Sequence, residues 1–303
     1  MKTGSEYHDP VLSQDCVDAL GIRESGVYVD VTFGGGGHSR AILEKLGKKG
    51  SLIAFDRDRD AWRNAPKDDR FTLVRSDFRW LKNHLRYLGK LPIDGLLADL
   101  GVSSHQFDTG SRGFSFRADG PLDMRMDHRA RTSAADIVNA WDEARLAGIL
   151  RAYGEVGGAM RVAKALVNAR AAKRISTTHQ LLSALDPVTP KKDASAFRAQ
   201  VFQALRITVN DELGSLEALL RQSAEVIRPG GKLVVISYHS LEDRLVKNWM
   251  RSGDPGGEEK KDIYGNRIRP FDPDSNKAIA PTQEEIARNP RARSARMRTA
   301  TRT

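Results

Sequence analysis

The residues best suited to chemistry lie in Asp30-Val31-Thr32-Phe33-Gly34-Gly35-Gly36-Gly37-His38, a glycine run between a β-branched stretch and a helical one. Glycines there let the backbone turn tightly and approach a ligand where any Cβ would collide. The helix behind them favours electron-rich groups at its N-terminus. Alone, such a run is also an ordinary strand-to-helix turn. Asp56 supplies context, because it closes the next apolar stretch 20 residues after Gly36. An open α/β sheet places there the carboxylate that accepts hydrogen bonds from a ribose diol. The pair points to a nucleoside cofactor. Ser39 and Arg40 follow His38, so the run is not the G-x-G-x-x-G of a dinucleotide site, and no G-K-[ST] of a phosphate loop exists. S-adenosylmethionine fits best.

Two more apolar stretches end in acids, Asp77-Phe78 and Asp99-Leu100-Gly101-Val102. Ligands of doubly wound sheets sit outside the carboxyl ends of the strands, so Asp99 is expected to face the reacting centre. Asp77 and Phe78 would offer an adenine one polar and one apolar contact; a turn carboxylate beside a core aromatic would read the same. Residues 112–127 set Arg112 and Arg125 among Phe114 and Phe116, around the turn Asp119-Gly120-Pro121. Arginine beside aromatics suits contact with single-stranded RNA, and it equally suits a loop whose rings cover a core. Ser237-Tyr238-His239-Ser240 is a further candidate, but without a G-x-S-x-G elbow it does not indicate a hydrolase. The seven histidines, at 8, 38, 84, 105, 128, 179 and 239, show no paired spacing, so no metal site is expected.

These residues need elements to hold them. Strand signals at 27–31, 51–55, 71–74 and 93–100 alternate with helical stretches, which predicts βαβ units and a parallel sheet. From 132 to about 206 the apolar residues recur at helical spacing, and a strand signal returns only at 232–237, after Pro229-Gly230-Gly231. A sheet that stops, yields to helices and resumes implies an insertion. The expected organisation is a core over 1–108, an inserted helical domain over 109–205 and the rest of the core over 206–303. Residues 252–289 read as loop, and 295–299 as a last edge strand.

Charge follows the same division. The 303 residues carry a net +10, yet the first 144 are nearly balanced. Residues 145–206 hold eleven Lys/Arg against three Asp/Glu, which suggests a polyanionic partner or a solvated helical face. Residues 288–303 add six arginines and no acid. The single cysteine, Cys16, can form neither an internal disulfide nor a cysteine-rich zinc site, which suits a reducing cytosol. No apolar run is long enough for a membrane span, and the start lacks the apolar segment of a signal peptide. A cytoplasmic protein with no membrane partner is expected.

Longer stretches carry a resemblance. The sequence is similar to the bacterial ribosomal RNA small subunit methyltransferase H family through His8-Asp9-Pro10-Val11-Leu12, DVTFGGGGHS (30–39), FDRD (55–58) and DLGVSS (99–104). The similarity continues through RGFSFRADGPLDMRM (112–126), FQALRITVNDEL (202–213), SYHSLEDRLVK (237–247) and NPRARSARMR (289–298). Residues 196–200 depart from it, reading Ala-Phe-Arg-Ala-Gln where the family commonly has a His-Pro-Ala-Thr-Arg-like stretch, with Arg198 the substitute for its arginine. The resemblance implies a class I, Rossmann-like S-adenosylmethionine-dependent methyltransferase sheet with an inserted all-helical domain for RNA contact. It places the cofactor on Gly36, Gly37, His38, Asp56, Phe78, Asp99 and Gln106, the last of these by family likeness alone. The implied activity is methylation of the exocyclic amino nitrogen of a cytidine in the decoding region of 16S ribosomal RNA, within a small-subunit particle.

A cytosine amine is a weak nucleophile because its lone pair is delocalised into the ring. An enzyme helps by accepting a hydrogen bond from the N–H and holding the nitrogen in line with the methyl group. Asp99 is the expected acceptor. The D-P-P-Y motif of DNA amino-methyltransferases is absent, so the aromatic that stacks the base falls among Phe114, Phe116 and Tyr238, with Arg112, Arg125 and His239 as further substrate contacts. A flipped or unpaired base is expected. The competing readings are an amine methyltransferase of DNA or another RNA, and a non-catalytic RNA-binding protein that retains a nucleoside fold.

Overall fold

A computed structural model describes residues 10–303; His8 and Asp9 of the first motif lie outside them. The chain divides into two compact units: one runs through Gly101 and resumes over Leu213–Thr303, and the other is Val102–Glu212. The second unit thus reaches beyond the expected 109–205 at both ends.

The first unit opens with α1 (Ser13–Leu20), β1 (Val27–Asp30), α2 (Gly37–Lys45), β2 (Ser51–Phe55), β3 (Phe71–Val74), α3 (Leu81–Tyr87) and β4 (Ile93–Asp99). The second unit then supplies α4 (Ser104–Asp108), α5 (Ala134–Ala140), α6 (Glu143–Gly154), α7 (Ala159–Ala172), α8 (Thr178–Leu185) and α9 (Ala194–Asn210). After it come α10 (Glu212–Val226), β5 (Ile227–Ser237), α11 (Ser240–Ser252), β6 (Phe271–Pro273), α12 (Gln283–Arg288) and β7 (Arg296–Arg302).

The seven strands form one sheet in the order β3-β2-β1-β4-β5-β7-β6. The first five are parallel, and β7 runs antiparallel to both its neighbours. This is a doubly wound, Rossmann-like sheet, and its strand order reverses between β1 and β4. Both faces are covered, which is why the inner strands read as apolar runs rather than alternating ones. Val29, Ile53, Leu96, Ala98, Leu233 and Val235 share one core with residues of α10 and α11. Their neighbours Tyr28, Leu52, Leu97, Val234 and Ile236 join α1 and α2 on the other face.

The later strands differ from the sequence expectation. β5 starts at Ile227, five residues before the predicted 232, and runs through Pro229-Gly230-Gly231. The register shifts there between the Ile93↔Ile227 and Gly95↔Lys232 pairs, and such an irregularity absorbs the missing N–H of Pro229. Asp94 holds the irregular stretch together, accepting from the Val27 N–H and the guanidinium groups of Arg23 and Arg228. The segment expected to be loop contains β6 and α12, and the final strand extends from 296 to 302.

The second unit is helical, around a core that includes Ile137, Leu146, Leu150, Val162, Leu166, Leu181, Val201 and Leu205. Its helices begin where the sequence provides caps: Ser133 with Asp136 on α5, Asp142 on α6, and Thr177 with Gln180 on α8. The end of α9 is tied down by Asn210, whose carboxamide accepts from Met126 N–H at 2.8 Å and donates to the carbonyls of Met124 and Arg206 at 2.7 and 2.9 Å. Replacing Asn210 with Ala strands a buried N–H and a buried carbonyl, so Asn210→Ala should destabilise the helical unit by about 2–4 kcal/mol. Urea denaturation followed by hydrogen exchange in residues 102–212 measures this; a midpoint equal to wild type would remove Asn210 from the framework.

Candidate functional site

At the carboxyl edge of the first unit's sheet, β1 ends in Asp30 and β4 in Asp99, the two strands between which the order reverses. Asp30 is fully buried. It accepts from Ser39 Oγ at 2.7 Å and from Thr32 N–H at 3.0 Å, and burial raises its carboxyl above the usual range. Thr32 Oγ1 in turn accepts the Asp99 N–H at 2.7 Å. The Asp99 carboxylate is held at both oxygens. Tyr238 Oη donates to Oδ1 at 2.8 Å, and His38 Nε2 lies 3.4 Å from Oδ2.

These contacts act on the proton affinities of the partners. Burial disfavours charge on His38, but the hydrogen bond and charge of Asp99, with Asp30 behind it, outweigh burial and raise its pKa. Burial, followed by the negative charge of Asp99, pushes the Tyr238 phenol well above its ordinary value, so it stays a donor. Both ring nitrogens of His38 are buried without a well-aligned hydrogen bond among the described residues, Nε2 lying only within ion-pair reach of Asp99. Such orphans are rare, and Nδ1 suits a polar group of a bound ligand.

The glycine loop is shaped for close approach. Gly36 has φ +76°, and a Cβ there would stand 2.9 Å from the Phe33 ring and the Arg40 guanidinium. Gly34 N–H donates to Asp56 Oδ2 at 2.8 Å, and Asp58 N–H donates to Oδ1 at 2.8 Å. Asp56 thus fastens the loop after β1 to the end of β2. Burial still pushes its carboxyl up to about 6. The indole of Trp62 donates to the Asp56 carbonyl and Asn64 to the Gly34 carbonyl, both at 3.0 Å, which closes the loop. A carboxylate on a glycine cradle, with an orphaned imidazole nitrogen at the next turn, fits the ribose and polar tail of an adenosyl cofactor.

Five of the expected cofactor residues, Gly36, Gly37, His38, Asp56 and Asp99, therefore share one edge of the first unit. Phe78 starts a helical turn just after β3 and is half-buried, while its neighbour Asp77 is committed to capping Arg79 N–H and pairing with Arg57 at 2.7 Å. Gln106 belongs to the second unit, where it forms a capping box with Ser103 at the start of α4. Arg112 is buried there and donates to the Arg125 carbonyl, and Phe114 is part of that unit's core. Phe116 packs edge-on against Phe202, with ring centroids 5.2 Å apart, and Arg125 grips Asp123 through two 2.7 Å bonds. Arg198 pairs with Asp186. His239 caps α11 and lies 3.3 Å from the buried Glu242, which also accepts the Tyr238 N–H at 2.9 Å. Thr32, Ser39 and Glu242 lie within the quoted motifs without a role given to them, while Trp62 and Asn64 carry no sequence signal.

No helix among the described residues is long and apolar enough to cross a membrane. The profile of the MraW methylase family matches residues 5–303. The ribosomal RNA small subunit methyltransferase H of Parabacteroides distasonis is 54% identical over 295 residues, covering 97% of each chain. Its counterpart in Cytophaga hutchinsonii is 54% identical over 299 residues, covering 98% of this chain and 99% of its own. That of Bacteroides fragilis is 51% identical over 294 residues, covering 97% of each.

Asp56 yields a pH prediction with a definite sign. A ribose diol donates to the ionised carboxylate, and protonation near its pKa of about 6 competes with that donation. Affinity for S-adenosylmethionine should be flat above about pH 7 and fall toward about pH 5, by up to tenfold per unit. Asp56→Ala should weaken binding roughly 10- to 100-fold and abolish this dependence. Isothermal titration across that range checks both; pH-independent wild-type binding would remove Asp56 from the ribose site.

Proposed function

The chain belongs to the MraW methylase family, and from that premise we propose that it transfers a methyl group from S-adenosylmethionine to the exocyclic amino nitrogen of a cytidine in the decoding region of 16S ribosomal RNA. The observation that carries this reading is the Asp99 carboxylate at the strand switch point, oriented by Tyr238 on one oxygen and His38 on the other. When bound, the cofactor supplies an electrophilic methyl group. The protein does the rest. Gly36 and Gly37 let the backbone approach, His38 and Asp56 hold the polar groups, and Phe78 bounds the adenine side. Asp99 accepts a hydrogen bond from the amine N–H, which raises electron density on the nitrogen and points its lone pair at the methyl carbon. The proton that the amine loses on methylation would pass toward the Asp99 carboxylate, while the cofactor would leave as its neutral thioether. Because both Asp99 oxygens already have partners, the acceptor is set before the substrate arrives.

RNA recognition is assigned to the helical unit, with 16S RNA inside a small-subunit particle as the acceptor. Residues 156–185 contain five Lys/Arg and no acid. Two of these cations are spent within the unit, Arg170 on the carbonyls of Val138 and Trp141 and Arg174 on Asp136. Arg161, Lys164 and Lys173 are exposed on or just beyond α7, and their side chains have no partner among the described residues, which leaves them available to phosphates.

Transfer of labelled methyl to small-subunit RNA, followed by digestion to nucleosides, tests the reaction. Label in N4-methylcytidine is expected, whereas label in another nucleoside would overturn the assignment. Under saturating cofactor and single turnover, Asp99→Asn should slow transfer about 10²–10³-fold while cofactor affinity falls less. Transfer at the wild-type rate would reduce Asp99 to a cofactor anchor. Replacing Arg161, Lys164 and Lys173 together with Ala should lower the slope of log affinity against log salt by about 2. An unchanged slope would move RNA contact away from α7.

A further inference from the structure

The first unit carries a feature that methyl transfer does not use. Residues 260–268 form a small hairpin, closed by the Lys261↔Arg267 bridge, by Ile268 N–H to the Lys260 carbonyl at 2.8 Å and by Asp262 N–H to the Asn266 carbonyl at 2.9 Å. Its tip displays Ile263 and Tyr264, which are 91% and 82% exposed. Large apolar side chains this bare, side by side, usually mark a contact surface.

The tip is rigid by construction. The Asp262 carboxylate accepts Tyr264 N–H at 2.8 Å, Asn266 N–H at 2.9 Å and the Asn266 amide at 3.1 Å, while Gly265 takes φ +85° to complete the turn. The base is anchored as well: Glu259 pairs with Arg251 of α11 at 3.0 Å and with Arg267 at 3.3 Å. Lys260 and Lys261, by contrast, are exposed with no ion-pair partner among the described residues. An exposed tyrosine on an ordered turn, on the same hairpin as two lysines outside any ion pair, combines a stacking platform with phosphate attraction.

We propose that this hairpin is a second RNA contact, in which Tyr264 stacks on an unpaired base and Lys260 and Lys261 take the flanking phosphates. The inference rests on RNA being the substrate, and it adds a recognition element outside the helical insertion.

Two measurements on the full chain test it. In the first, a labelled single-stranded oligoribonucleotide is titrated by fluorescence anisotropy, independently of any methyl transfer. Tyr264→Ala should weaken binding roughly 5- to 100-fold, Tyr264→Phe and Tyr264→Trp should restore it, and replacing Lys260 and Lys261 with Ala should lower the salt slope by about 1. In the second, Tyr264→Ala should raise KM for small-subunit RNA and leave kcat unchanged. Wild-type affinity for Tyr264→Ala in the first would overturn the hairpin proposal, as would a loss that the Phe and Trp variants fail to rescue. If the wild-type chain bound the oligoribonucleotide through Tyr264 yet methylated no small-subunit RNA, the proposed reaction would fall and the hairpin contact would stand.

Discussion

The Thr32 hydroxyl accepts the backbone N–H of Asp99 at 2.7 Å and lies 3.4 Å from Asp30 Oδ1, joining the ends of β1 and β4 where the strand order reverses. A parallel sheet opens at that point because the crossovers leave in opposite directions, and the resulting crevice is where such folds receive ligands. Here the crevice is lined by two acids. Leaving them there is costly unless their oxygens are satisfied, since a buried carboxylate without partners pays its full desolvation. Ser39 and Thr32 satisfy Asp30, while Tyr238 bonds one oxygen of Asp99 and the His38 ring stands beside the other. The glycine loop, the start of α2 and the end of β5 must therefore converge on this edge for the first unit to be stable. The geometry needed for chemistry and the geometry needed to hold one buried acid beside one partly exposed acid are the same.

Backbone and side-chain donors share the work of holding these carboxylates. Asp56 is held by two N–H groups and Asp99 receives the one phenol that reaches it, with the Tyr238 ring lying over Gly101. A side chain at Gly101, where φ is +100°, would place its Cβ 3.3 Å from that ring. Glu242, which takes the Tyr238 N–H, extends the buried network into α11. Asp99 and Asp56, the proposed acceptor and ribose carboxylate, consequently sit at rigid strand ends, as precise positioning of a weak nucleophile demands.

Much of this was legible in the sequence, for a physical reason. Strands buried on both faces read as continuous apolar runs, so β1 to β4 were found to within a residue, and the acids that end them stood out against that background. Pro229-Gly230-Gly231 misled, because a turn signal and a strand irregularity use the same residues, and only the pairing with Ile93 and Gly95 distinguishes them. The arginine and aromatic residues of 112–126 were ambiguous for a related reason. A guanidinium that satisfies loop carbonyls and one that awaits a phosphate look alike in one dimension, and here Arg112 faces carbonyls and Arg125 faces Asp123. The unspent cations on α7 and at the hairpin stood out only once the partners of their neighbours were known.

The central claim is that the acid-lined edge between β1 and β4 is the methyl-transfer site. A crystal structure of the chain with S-adenosylhomocysteine tests it most directly. The ribose hydroxyls are expected within hydrogen-bond distance of Asp56, a polar group of the ligand on His38 Nδ1, and the sulfur facing Asp99. A ligand bound elsewhere, or one that leaves Asp56 and Asp99 without contact, would contradict it.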